Sequence, residues 1–195
     1  MISKNSKIYQ IELPCEKEII TKLKIGDLVS LNGIIVTGRD SFHKYAVEKY
    51  IKGNIKDNVL EKLNKILKNS FIYHCGPVIK KEANTFEFLA GGPTTSIREE
   101  PYEYQLIPFF SLNGVIGKGG MGKKTQSALQ EHKAVYLHTT GGAAALIGEK
   151  VTRVCDVLFI EFGIPEAVWI LEVKNFNCIV TMDANGESLH EKVYN

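Results

Sequence analysis

Arginine is scarce in this chain: Arg39, Arg98 and Arg153 stand against 21 lysines. A surplus of either charge is also missing. Lys and Arg total 24 and Asp and Glu 22, a net charge of +2. No whole-molecule field therefore draws the protein to nucleic acid or to an anionic membrane, and any anion site must be local. No stretch approaches the ~20 consecutive apolar residues of a membrane span. Met1 to Leu13 mixes lysines with polar residues where a leader would carry an apolar run, so a cytosolic protein is expected. The four cysteines, Cys15, Cys75, Cys155 and Cys178, form no CxxC or similar pair. That spacing argues against a zinc site or an iron–sulfur cluster held by this chain alone, and single buried thiols are the simpler reading. No GxSxG elbow, HExxH or evident triad occurs. What is present is ordinary: 195 residues, 44% hydrophobic and 24% charged, which excludes the disordered and fibrous classes and suits one domain over 1–195.

Glycine and proline divide the chain into short strands and helices, with no repeat. Ile8 to Leu13 alternates like an edge strand, and Asp27 to Thr37 reads as strand, bend, strand around Gly33. A helix follows with Phe42, Ala46 and Tyr50 on one face, N-capped by Asp40 or Ser41. Val59, Leu60, Leu63, Ile66 and Leu67 mark a second, amphipathic helix. Phe71 to Cys75 reads as a strand with Thr85 to Leu89 as its hairpin partner. Ala134 to Thr139, Val157 to Phe162, Ala167 to Val173 and Ile179 to Met182 read as central strands, with helices over Lys123 to His132 and Ala143 to Lys150. The expected fold is a compact mixed α/β domain with a β-rich core.

Four glycine-bearing junctions each follow a strand-like run and precede a helix-like one: 37–40, 91–98, 117–122 and 139–142. Such junctions present backbone N–H groups and a positive helix end, which attract anions. Two of the three arginines, Arg39 and Arg98, lie inside them. Arginine where lysine is the default indicates that a planar fork is wanted, either to clamp a carboxylate or phosphate or to staple a loop through Asp40 or Glu99. Gly117 to Gly122 satisfies GxGxxG, yet no acidic residue stands ~20 positions on, and Lys124 occupies the Ser/Thr position of a P-loop. A nucleotide site is thereby disfavoured. His43, one turn beyond Arg39, is placed to face the same pocket or to pack. Thr94 and Thr95 are either helix caps or a hydroxyl pair that holds or moves a proton.

As a set, TGRDSFH (37–43), YHCGPV (73–78), GGPTTSIR (91–98), IGKGGMG (116–122), TTGGAAAL (139–146) and FGIPEAVWILEV (162–173) resemble the β subunit, or C-terminal domain, of class I fumarases and tartrate dehydratases. The resemblance runs in order over nearly the whole chain. It implies a swivelling β/β/α domain and a hydro-lyase split between two chains. A [4Fe–4S] cluster would be held by a partner α subunit, and this chain would hold no metal. It also implies that Arg39, Thr94, Thr95, Arg98 and Lys118 bind a dicarboxylate such as fumarate or malate, with Thr94 as general base. Lys118 and His43 join Thr94 as candidate catalytic residues. After the arginine the family commonly has Met and an acidic residue, whereas Glu99, Glu100 and Pro101 follow Arg98 here, setting two acids beside the proposed clamp. The alternatives are a dehydratase of tartrate or another 2-hydroxy diacid, and a noncatalytic anion-binding module.

Overall fold

A computed structural model describes residues 8–82, 85–139, 142 and 144–192. In chain order the elements are β1 (Ile8–Leu13), α1 (Lys17–Ile20), β2 (Leu28–Thr37), α2 (Asp40–Tyr45), a wider π turn (Ala46–Lys52), α3 (Asn58–Leu67), β3 (Phe71–Tyr73), β4 (Val78–Glu82) and β5 (Thr85–Ala90). A 3₁₀ turn (Ser96–Glu99) then leads into α4 (Glu100–Phe109), β6 (Gly114–Gly117), α5 (Lys123–Glu131), β7 (Val135–His138), α6 (Ala144–Gly148), β8 (Val151–Leu158), β9 (Val168–Met182) and α7 (Leu189–Lys192).

Seven strands form one sheet in the order β1-β2-β3-β6-β7-β9-β8. β2, β3, β6 and β7 are parallel. β9 runs antiparallel, pairing with β2 along one edge and with β8 and then β7 along the other. The ring β2, β3, β6, β7, β9 thus closes into a barrel-like core. Its strands are buried on both faces, which is why they read as near-continuous apolar runs. Ile35, Phe71, Tyr73, Ile116, Leu137, Trp169 and Leu171 belong to one buried cluster. Their chain neighbours Val36, Ile72, Val115, Tyr136 and Ile170 belong to the other, packed with α2, α3, α4 and α5. Gly33 is needed where strand β1 closes in: its φ is +109, and a Cβ there would collide with the backbone of Leu13.

Several expectations are corrected. Thr85–Ala90 pairs with Val78–Glu82, not with Phe71 to Cys75, because both edges of β3 are already occupied by β2 and β6. Val157 to Phe162 is not a central strand: β8 lies at the sheet edge and ends at Leu158, and Phe159 (φ 55) turns the chain into a 3₁₀ turn at Ile160–Phe162. The expected strands Ala167 to Val173 and Ile179 to Met182 are parts of the single 15-residue strand β9, which begins at Val168. Neither Asp40 nor Ser41 caps α2. Arg39 holds the cap position, and the Glu166 carboxylate of a distant loop accepts the Ser41 N–H at 3.0 Å. The sequence bounds helix α4 and strand β6 no further than the helix-like run after junction 91–98 and the strand-like run before junction 117–122. The amphipathic helix marked by Val59, Leu60, Leu63, Ile66 and Leu67 is observed as α3, and Asp57 caps its N-terminus by accepting the Leu60 N–H at 2.7 Å.

Candidate functional site

Strands β2, β3, β6 and β7 point the same way, so the segments after Thr37, Tyr73, Gly117 and His138 emerge at one edge of the sheet. In open α/β sheets that carboxyl edge is where ligands bind. The Gly91 to Arg98 segment returns to it from β5 through two isolated bridges, Cys75 to Pro93 and Thr95 to Lys118. Thr140 and Gly141 of the fourth loop lie outside the described residues.

Arg39 and Arg98 meet across one carboxylate. Asp40 Oδ2 lies 2.9 Å from Arg98 Nη2 and 3.9 Å from Arg39 Nη2. The two arginines differ in freedom. The Arg39 side chain is 19% exposed, and its Nη1 donates to Pro165 O (3.3 Å) and lies 3.1 Å from Glu166 Oε1. Gly76 leaves room for this: a Cβ there would stand 2.5 Å from Arg39 Nη1. Arg39 is therefore a staple for the loop before β9 as well as a charge at the edge. The Arg98 side chain is 46% exposed, with Asp40 as its ion partner.

Thr94 is half-buried, and its N–H and Oγ1 both donate to His74 O, at 2.7 and 3.3 Å. Thr95 precedes the 3₁₀ turn without a side-chain capping bond, which removes the capping explanation for its hydroxyl. Half-buried Lys118 forms no side-chain hydrogen bond or ion pair among the described residues, while its carbonyl accepts the Ser96 N–H at 3.0 Å. Gly119 and Gly120 follow at φ +82 and +77, a double left-handed turn that glycine adopts without strain. The two acids after Arg98 have different surroundings, and Glu99 still feels the charge of Arg98. Glu100 caps α5, accepting the N–H groups of Gly122 (2.8 Å), Lys124 (2.9 Å) and Thr125 (3.2 Å). The GxGxxG segment thus has its helix N-terminus filled from within the chain. Glu99 is fully buried, and burial raises its carboxyl to about 7.

His43 corrects an expectation: its ring is fully buried and does not open onto the arginine pocket. Nδ1–H donates to Arg39 O (2.8 Å) and Nε2–H to Glu103 Oε2 (2.6 Å). Donation from both nitrogens makes it an imidazolium. Burial opposes that charge, but Glu103 and Glu99 outweigh it and raise His43 to about 9. Glu103 is pulled down to about 2 by its two histidines against the opposing effect of burial. His74 completes the group. Its Nε2–H donates to the same Glu103 Oε2 at 3.0 Å, and burial keeps it neutral, so Nδ1 accepts from Ser96 Oγ at 2.9 Å. Ser96 in turn accepts from Tyr136 OH at 2.8 Å. His43, His74 and Glu103 have the donor types of a metal site, but these atoms are spent on one another. Sequence reasoning missed Glu103, Tyr136, Ser96 and Glu166. Only Ser96 and Glu166 fell within a recognisable motif.

Cys15, Cys75 and Cys178 are buried, Cys155 is exposed, and no three thiols gather among the described residues. A groove of about 970 Å³ between β5, α6 and β8 is lined by none of the predicted site residues.

A family model described as the fumarase C-terminus matches residues 2–193. A Geobacillus stearothermophilus protein provisionally named a class I fumarate hydratase is 46% identical over 188 residues, covering 96% of this chain and 34% of that one. The chain thus spans about a third of that relative's length. A Methanocaldococcus jannaschii protein provisionally named L(+)-tartrate dehydratase subunit beta is 43% identical over 179 residues, 91% of this chain and 88% of the relative. The L(+)-tartrate dehydratase subunit beta of Escherichia coli K12 is 33% identical over 177 residues, covering 90% and 83%.

Proposed function

This chain belongs to the fumarase C-terminus family, and on that footing we propose that it is the β subunit of a two-subunit hydro-lyase interconverting fumarate and malate. The observation that carries this reading is the gathering at one sheet edge of an exposed arginine fork, a lysine with no ion pair among the described residues, and two threonines. A dicarboxylate brings two negative charges, which the Arg98 fork and the Lys118 ammonium complement, with Arg39 behind them. Removing a proton α to a carboxylate builds further negative charge on that carboxylate, and fixed cations there bind the transition state better than the substrate. Thr94 Oγ is the proposed proton acceptor, with the same cations favouring its alkoxide. His43, being buried, serves by holding the carbonyl of Arg39 and does not touch substrate.

In this reading the [4Fe–4S] cluster belongs to a partner α subunit, in keeping with the scattered thiols of this chain. The protein is cytoplasmic and binds neither nucleic acid nor membrane; no helix among the described residues is long and apolar enough to cross one. The swivelling β/β/α designation belongs to the same proposal. Tartrate as substrate is the second reading, favoured by the names of two of the relatives. Co-expression with a candidate α subunit and anaerobic assay against fumarate, malate and tartrate tests the proposal. Turnover of fumarate and malate supports it, turnover of tartrate alone transfers it to the second reading, and turnover of none overturns both.

A further inference from the structure

We propose that Glu103 is a positioning residue that fixes the Arg39 and Thr94 loops relative to each other through two histidines. The inference rests on the reading of Arg39 and Thr94 as site residues. A single atom, Glu103 Oε2, accepts hydrogen bonds from both His43 Nε2 (2.6 Å) and His74 Nε2 (3.0 Å). From there the contacts diverge to three loops. His43 Nδ1 reaches the Arg39 carbonyl at 2.8 Å. The His74 carbonyl accepts the Thr94 N–H at 2.7 Å and its Oγ1 at 3.3 Å. Through Ser96, whose Oγ donates to His74 Nδ1 and whose N–H donates to Lys118 O, the third loop is tied in as well.

The arrangement is not explained by the needs of the core. Glu103, His43 and His74 are all fully buried, and taking an ion pair out of water costs about as much as its attraction returns, so an apolar trio of similar volume would hold the fold as well. Glu103 Oε1 has no hydrogen-bond partner among the described residues, so both loops are referred to one oxygen and not spread over two. The acid also sits in α4, which begins two residues after Arg98, so the helix that anchors the histidines also carries the exposed guanidinium at its head.

The test uses both the assembled enzyme and this chain. Glu103→Gln keeps the shape and one oxygen that can face both histidine donors, but removes the negative charge that strengthens those hydrogen bonds. In the assembled enzyme kcat/KM should fall at least tenfold. The alkaline limb of the pH profile should move downward, because His43 loses the carboxylate that holds its proton. The other groups facing that ring are Glu99 from the 3₁₀ turn and His74 from the end of β3, while the charge of Asp40 in α2 acts on His74. In the chain alone, hydrogen exchange should quicken at least tenfold at the His43 and Thr94 amides and stay unchanged in α3. Wild-type protein gives an independent reading that needs no variant to fold: in an NMR pH titration, the Thr94 amide should shift with the midpoint of the His43 ring. The proposal is overturned if the Thr94 amide is blind to that midpoint, if exchange quickens uniformly or not at all, or if Glu103→Gln leaves kcat/KM within twofold. Should the wild-type assembly turn over no diacid, the hydro-lyase reading fails, while the exchange and titration results still decide the role of Glu103.

Discussion

Gly117→Ala tests the buried hydrogen-bonded line directly. A Cβ at this position would overlap Ser96 Oγ and stand 2.9 Å from Tyr136 OH and 3.4 Å from His74 Nδ1. The residue lies in strand β6 without a positive φ, so the backbone has no objection to alanine, and the whole effect is steric. The serine hydroxyl must leave, which strips the Tyr136 hydroxyl and His74 Nδ1 of their shared partner. Each orphaned buried group costs ~1–3 kcal/mol, so the two together should destabilise by about 2–6 kcal/mol. At ~2–4 °C per kcal/mol for a chain of this length, the thermal midpoint should drop by about 4–24 °C. Thermal unfolding followed by circular dichroism reads this. The Gly117→Ala/Ser96→Ala double variant should melt close to Ser96→Ala alone, because the overlapping atom is gone, so the two losses should be far from additive. A Gly117→Ala midpoint within about 2 °C of the parent, or strictly additive losses, would refute the packing argument.

Arg98→Lys keeps the charge but loses the fork, and kcat/KM of the assembled enzyme should fall at least tenfold with the melting temperature hardly changed. Arg153→Lys, whose side chain is 67% exposed in a surface pair with Glu172, should be silent in the same assay. Thr94→Val should lower kcat far more than it raises KM, and combined with Lys118→Met should lose much less than the sum of the two. Simple additivity would make Thr94 a binding residue. The chain purified alone should lack iron–sulfur absorbance and diacid turnover, and a coloured, active preparation would defeat the two-subunit reading. Thermal stability should depend on pH at the alkaline end. His43 binds its proton more tightly folded than unfolded, so its contribution is complete below the ordinary histidine range near 6.5. It is lost as pH rises through about 9. A midpoint independent of pH between 7 and 10 would contradict a charged His43.

Much of the candidate site could be read from the order of residues along the chain, because its parts are local. The scarcity of arginine marked Arg39 and Arg98, and the structure brings both to Asp40. Glycine loops following apolar runs located the edge where Thr94, Thr95 and Lys118 gather. The 3.6-residue spacing of Leu60, Leu63 and Leu67 identified α3, since one helix face sets that pattern whatever covers it.

What tertiary structure alone decided is which side chains and which strand edges meet. Strand propensity carries no information about whether an edge is free, so the partner of β5 became evident only once β2 and β6 were seen to flank β3. The orientation of His43 depended on a partner 60 residues away. Helical spacing placed it near Arg39, but the pull of a buried carboxylate turned the ring inward. Glu103 itself carries no local signal: it stands in a helix with apolar residues on more than one side and an internal Pro108, where one acid looks like any solvated residue. Its role arises because the sheet brings His43, from the segment after β2, and His74, at the end of β3, to either side of one carboxylate oxygen, where only hydrogen bonds to both can offset the loss of water.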